Sequence, residues 1–485
     1  MLKNLILIHG ALGNKKELFP IGDFLKNEYI IHYFEIPGHG ERFKENDKFN
    51  LKETTKDFHQ FVKNIGESYV FGFSLGGYLA LNCLLEFKTT EIKGVVTLGT
   101  KLNWSPLIAE EEIKGLDAEK IAAFAPVLYK HLENIHGAKL NQVILNTRQF
   151  LKDLGNSPTL NSSSVKSIQQ AVRIVRGQKD RLVSREESQT IANQIKNCFY
   201  FEIPSFSHPI GFLNPKMVAK VIANQLASME YQFITTHQGR MAYKVIGEIA
   251  NDKPILLFLH ESLGSIAQWK KFPEELCCEL GLSGIILEHI GYGFSDSLPQ
   301  KRDEQYLHNY AFKNIPAFLT ALKIDHPLIL IGHSDGGTEA LLYSKKYPEK
   351  VKGVITIAAH VLNESETRAG IPPVIKAYEE GKLKALEVYH GEKTEDVFYA
   401  WADTWLADFF KNWTITKEIK GIEASGLIIQ GENDEYGTIH QVEQIENAFC
   451  STVERFVVPK GNHSPHLLQS KLIIEKIKKW SKKLS

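Results

Sequence analysis

Uninterrupted apolar runs that stop at a histidine or a glycine recur along this chain. Leu5-Ile6-Leu7-Ile8 stands before His9-Gly10, Leu256 to Leu259 before His260-Glu261, and Ile329-Leu330-Ile331 before Gly332. A branched, unbroken run of this length predicts a strand covered on both faces, the kind that parallel sheets contain. Between the runs lie stretches with helical character, such as Gly76 to Phe87 and Gly336 to Tyr347. Strand, loop and helix in alternation predict an α/β fold with doubly wound, mainly parallel sheets.

The pattern occurs twice. LILIHGALG from Leu5 parallels LLFLHESLG from Leu256, EIPGHG from Glu35 parallels EHIGYG from Glu288, and YVFGFSLGG from Tyr69 parallels ILIGHSDGG from Ile329. Later, IVRGQKD from Ile174 parallels IIQGEND from Ile428, and PSFSH from Pro204 parallels PKGNH from Pro459. Five matches in one order, at offsets of 251 to 260 residues, point to two copies of one domain rather than to chance recurrence of strands before Gly-rich turns. The first copy is assigned to residues 1–229, closing on a helix from about Pro215 to Met229 whose proline suits the first helical turn. The second is assigned to 230–485. It opens on Tyr231 to Gly247, read as two strands about a Gln-Gly turn, which the first copy lacks; the first copy is therefore expected to be trimmed at its N-terminus. With no Pro-rich or Ser-rich spacer between them, the two domains are expected to pack on each other.

A length of 485 residues suits two large domains, and 43% hydrophobic with 24% charged residues is a globular balance. Lys plus Arg and Asp plus Glu are equal at 57, so no basic field favours nucleic acid or a membrane surface as partner. The five cysteines, Cys83, Cys198, Cys277, Cys278 and Cys450, form no Cys-x-x-Cys pair, which suits a reducing compartment. The N-terminal apolar run is too short for a signal peptide or a spanning helix, and a cytoplasmic protein is expected.

Gly72-Phe73-Ser74-Leu75-Gly76 and Gly332-His333-Ser334-Asp335-Gly336 each follow an apolar run and open a helical stretch. Small residues two before and two after the serine let strand and helix approach at a strained turn. In this context Gly-x-Ser-x-Gly resembles the nucleophile elbow of the α/β-hydrolase superfamily, in its serine-nucleophile branch. Family members with aspartate at the elbow, the haloalkane dehalogenases and epoxide hydrolases, use a carboxylate nucleophile, and serine at both elbows argues against that chemistry. The family order of nucleophile, acid and histidine carries over onto Ser74, Asp180 and His208, and onto Ser334, Asp434 and His463. Both aspartates stand three residues beyond a strand-ending glycine, whereas Glu432 and Glu435 have no counterpart in the first copy.

The resemblance further implies an oxyanion hole made of backbone amides: Leu75 and Ala11 in the first copy, Asp335 and Ser262 in the second. Glu261 stands where the His-Gly loop requires glycine, a departure from the family pattern at the second oxyanion hole. The family places a helical cap over its pocket, and insertions of about 101–166 and 361–419 suit caps. Phe398, Trp401, Trp405 and Phe409, with Trp413 beyond, and in the first cap Phe124, Leu128, His131, Leu132 and Ile135, recur at helical spacing and read first as packing stripes, with the lining of an apolar acyl or aromatic pocket as the alternative.

The expected activity is serine-dependent hydrolysis in both copies, one triad in each, of an ester, thioester or related small-molecule carbonyl substrate, with carbon–carbon bond hydrolysis as an allied chemistry. No metal or organic cofactor is implied; His463-x-x-His466 offers half a metal site with no further ligands grouped beside it. The menaquinone-pathway succinyl-hydroxycyclohexadiene carboxylate synthase is a minor alternative, but where its Gly-Gly pair is followed by arginine this chain has Tyr78 and Thr338, so the guanidinium fork that grips a carboxylate is missing. The competing reading makes one copy a ligand-binding or interaction module, the second being the candidate because of Glu261; a third makes the whole chain a scaffold.

Overall fold

The computed structural model describes residues 2–43, 49–250 and 253–484. The chain divides into two compact units, Met1–Met229 and Glu230–Ser485.

Unit 1 holds a six-stranded sheet of β1 (Lys3–Ile8), β2 (Tyr29–Phe34), β3 (Ser68–Phe73), β4 (Ile92–Leu98), β5 (Ala171–Gly177) and β6 (Cys198–Ile203). Its order is β2-β1-β3-β4-β5-β6 and every pair is parallel. The apolar runs are its centre: Leu5 to Ile8 are fully buried, as a strand sandwiched between helical layers requires.

Unit 2 holds β7 (Gln232–Thr236), β8 (Gly239–Ile246), β9 (Ile255–Leu259), β10 (Gly284–Glu288), β11 (Leu328–His333), β12 (Val351–Ile357), β13 (Ser425–Gly431) and β14 (Val453–Val458). Its order, β14-β13-β12-β11-β9-β10-β8-β7, repeats that of unit 1 and adds the β7–β8 hairpin, paired antiparallel onto β10. The copies agree in detail. The β3–β4 ladder shifts register between Ser68 and Tyr69, and the β11–β12 ladder shifts between Leu328 and Ile329.

The recurring Glu-x4-Gly has a local cause. Glu35 accepts the backbone N–H groups of Lys15 (3.3 Å) and Glu41 (2.9 Å), and Glu288 accepts those of Ile266 (3.1 Å) and Phe294 (2.5 Å), so one buried carboxylate ties two loops together in each unit. Gly40 and Gly293 have positive φ, and a Cβ there would lie 2.1 and 2.2 Å from those carboxylate oxygens. The histidines that follow β1 and β9 are also structural. The ring Nδ1–H of His9 donates to Gly10 O (2.8 Å) and its Nε2 accepts from Ile36 N (3.0 Å); His260 does the same with Glu261 O (2.7 Å) and His289 N (3.2 Å). Burial, reinforced by a neighbouring histidine, holds both pKa values well below the ordinary value, so each stays neutral and can accept.

Helices fill both insertions. In unit 1 they are Pro106–Lys114, Ala118–Phe124, Pro126–His136 and Leu140–Asn156; in unit 2 the main ones are Ser365–Glu379 and Thr394–Leu406. Each of three buried apolar clusters draws on one unit alone, two in unit 1 and one in unit 2.

Candidate active site

At the end of β3 the backbone turns sharply through Ser74, with φ 49° and ψ −116°, and enters the helix Leu75–Phe87. An L-residue avoids this region unless its surroundings impose it. Here the neighbouring strand imposes it: Ser74 N–H donates to Leu98 O (2.8 Å) at the end of β4, and Thr100 Oγ1 donates to Ser74 O (3.0 Å). The second elbow repeats this, with φ 54° at Ser334, its N–H donating to Ile357 O (2.9 Å), and the helix Asp335–Lys346 beyond. The flanking glycines leave no space for a side chain. A Cβ on Gly76 would lie 2.6 Å from the backbone oxygens of Ile8 and His9, and one on Gly336 would lie 2.1 Å from Leu259 O.

Asp180 lies beyond β5 and His208 beyond β6; His208 Nδ1 donates to Asp180 Oδ2 at 2.8 Å. Asp180 Oδ1 accepts the N–H groups of Leu182 (2.8 Å) and Val183 (3.0 Å). Burial pushes its pKa up, but the hydrogen bond and charge of His208 with these two amides outweigh that, and the pKa falls below the usual carboxylate range. Unit 2 matches this pairing: His463 Nδ1 donates to Asp434 Oδ1 at 2.8 Å. The neighbouring glutamates are otherwise engaged, Glu435 accepting His463 N–H (2.9 Å) and Glu432 accepting Lys460 N–H (2.8 Å).

Ser74 and His208 line one cavity of about 220 Å³, with Ala11 and Leu75 also in its wall. Its lining is largely apolar, with Trp104, Leu116, Leu128, Leu132 and Leu151, and also includes Glu17, Lys101, Glu112 and His131. A glycine that the motifs did not single out backs the acid and histidine. Gly99, at φ 59°, would carry its Cβ 3.1 Å from Asp180 Oδ2 and 3.3 Å from His208 Nδ1. A glycine ending the apolar run of β4 was the available signal.

A family profile described as alpha/beta hydrolase fold matches residues 3–118 and 254–387, a stretch in each unit and about half of the chain together. The chain belongs to the alpha/beta hydrolase fold family. Among curated proteins it is similar to the alpha/beta hydrolase domain-containing protein VTE7 of Arabidopsis thaliana, 25% identical over 254 residues that are 47% of this chain and 74% of that one. It is also similar to human 1-acylglycerol-3-phosphate O-acyltransferase ABHD5, 31% identical over 109 residues, 22% of this chain and 30% of that protein. Among solved structures, an alpha/beta hydrolase fold protein from Chitinophaga pinensis aligns at 15% identity and TM-score 0.43, over 52% of this chain and 97% of its own. A thermophilic esterase from Thermogutta terrifontis aligns at 18% and 0.41, over 52% and 98%.

The two alpha/beta hydrolase units differ around their serines. In unit 1 the residue after the serine is Leu75, apolar and in the cavity wall. In unit 2 it is Asp335, whose buried carboxylate accepts from Tyr306 OH (3.0 Å) beside Arg302 and Ser262; burial raises its pKa against the pull of Arg302. Tyr78 OH of unit 1 accepts the N–H groups of Thr159 and Leu160 (both 3.1 Å), and Thr338 of unit 2 donates to His360 O (2.5 Å), so both residues after the glycine pairs serve local structure. Four imidazoles gather in unit 2. His333 and His463 have ring centroids 5.2 Å apart, His333 and His466 4.6 Å, and His360 and His463 5.6 Å. Burial presses down the pKa values of His333, His466 and His360, the last to about 3. His463 moves the other way: burial lowers its pKa, but Asp434, with Glu261 and Glu435, outweighs burial and raises it.

Two of the expected packing stripes need correction. In unit 2, Phe398, Trp401, Trp405 and Trp413 are buried, but Phe409 is 52% exposed and Phe410 is buried in its place. The helix ends at Leu406 and Ala407 is extended, which breaks the spacing. In unit 1, Phe124 is 88% exposed because its helix stops there and Pro126 starts another. Leu128, His131 and Leu132 face the cavity of Ser74 rather than serving only as packing. His131 Nε2 bonds Glu17 Oε1 (2.8 Å), a pair that joins the insertion to the loop after β1.

The five cysteines are free. No helix among the described residues is long and apolar enough to cross a membrane.

Proposed function

We propose that this protein is a serine-dependent hydrolase of esters or thioesters of apolar acids, and that the reaction runs at Ser74 of unit 1. The observation that carries the reading is a single cavity whose wall includes both Ser74 and His208, with His208 held at 2.8 Å by a charged Asp180. A serine hydroxyl is a weak nucleophile until a neutral imidazole takes its proton, and the carboxylate behind His208 selects the tautomer that leaves Nε2 free to do so. The backbone amides of Leu75 and Ala11 receive the negative charge that develops on the carbonyl oxygen. Water then releases the acid from the acyl-enzyme. The apolar lining residues, Leu116, Leu128 and Leu132 among them, suit the hydrocarbon part of the substrate.

For unit 2 a second reading has its own support. It has the elbow and the Asp434–His463 pair, but Glu261 replaces the loop glycine and the buried carboxyl group of Asp335 takes the place of Leu75. This favours a ligand-binding role over acyl transfer there. A fluorophosphonate probe followed by peptide mapping tests both readings. Labelling at Ser74, lost in Ser74→Ala together with a fall in p-nitrophenyl ester turnover on the order of 10⁴-fold or more, is expected. An unlabelled Ser74, or turnover that survives Ser74→Ala and is lost in Ser334→Ala, would overturn the assignment.

A further inference from the structure

The groups around Ser334 include three that acyl transfer does not account for as a set. Glu261, His333 and His463 each offer one ligand atom, and those atoms all lie within 4.8 Å of one another. They come from three separated segments: the loop after β9, the end of β11 and the loop after β14. In the paired motifs of unit 1 the same places hold Gly10, Phe73 and His208. Two of the three ligands are thus peculiar to unit 2, although both rings keep their places: Phe73 lies 5.2 Å from His208, as His333 lies from His463.

Each imidazole is held from behind. His463 Nδ1–H donates to Asp434 Oδ1 at 2.8 Å, and His333 Nε2–H donates to the backbone oxygen of His463 at 2.8 Å. One ring nitrogen of each keeps its lone pair. A carboxylate or carbonyl behind the ring is the support that fixes the tautomer of a metal-bound histidine and raises its basicity. Glu261 and Asp434 together carry the two negative charges that offset a divalent ion. Two imidazoles and a carboxylate are ligands of borderline softness, suited to zinc and its first-row neighbours and unsuited to magnesium or calcium. Donors around a tetrahedral zinc stand roughly 3.4 Å apart, so the observed spread closes with side-chain rotations of about an ångström.

We propose that Glu261, His333 and His463 form a binding site for one divalent transition-metal ion of the zinc class in unit 2. The bound ion occupies the free nitrogen of His463, so Ser334 has no base while the ion is present. Unit 2 then holds an ion where unit 1 holds a serine centre.

Equilibrium dialysis of the full-length protein, stripped with a chelator and returned to Zn²⁺ or Co²⁺, reads the site directly. One equivalent per chain is expected, with visible Co²⁺ absorption of a four- or five-coordinate ion. Glu261→Gln and His333→Phe should each weaken binding at least 100-fold, while circular dichroism and the Tm of the metal-free protein stay close to those of the parent. Absence of a one-to-one ion, or binding that survives either substitution, would overturn the proposal. Metal content is read without reference to ester turnover, so failure here and failure of the Ser74 assignment are separate results.

Discussion

At the scale of single residues, the carboxylate behind His208 shows why position outranks residue type. Asp180 is held by His208 and two backbone amides, and its pKa is lowered even though burial opposes this. A group whose folded pKa is depressed adds stability above its unfolded value, about 3.9, and that stability is lost as pH falls through the folded pKa. Asp180→Asn should therefore cost about 1.5 to 3 kcal/mol at pH 7, the usual worth of a charged hydrogen bond, and markedly less at pH 3. Urea unfolding of both proteins at the two pH values checks this; a difference that does not change with pH would contradict it. Glu432, Asp434 and Glu435 are one another's near neighbours in sequence, yet Asp434 alone of the three bonds the His463 ring. Matching positions between the copies singled out Asp434; the partners taken by the two glutamates depend on loop geometry that no motif encodes.

Among the elements, strands and elbows were legible because their signals are local. A run such as Leu5 to Ile8 has one good solution, burial between helical layers, and a glycine that must touch backbone admits no substitute. The insertions were harder to read. Helical spacing through Phe124 and Phe409 continues across breaks at Ala125 and Ala407 that the apolar pattern does not register. Leu132, on the helix Pro126–His136, looks like any core leucine in sequence but lines the cavity of Ser74. On the proposed function, Leu132→Trp should shorten the acyl chains accepted, lowering kcat/KM for p-nitrophenyl octanoate at least tenfold while that for the acetate changes less than threefold. Equal changes for both esters would place the acyl chain elsewhere.

For the molecule as a whole, two sheets that share a six-strand order, each unit with apolar packing of its own, lead to a simple expectation. Residues 1–229 and 230–485, produced separately, should each unfold in urea in one cooperative transition, with m-values near half that of the full chain because m follows the surface exposed. A fragment lacking such a transition would show that its core is not self-sufficient. The amino-acid sequence by itself determined the duplicated α/β architecture, since apolar runs and obligatory glycines act over a few residues and recur in order. Tertiary structure alone decided that Glu261 and His333 come within 4.8 Å of His463, and that the leucines of the first insertion line the cavity of Ser74. Such groupings join side chains far apart in sequence, and only the completed fold fixes their distances.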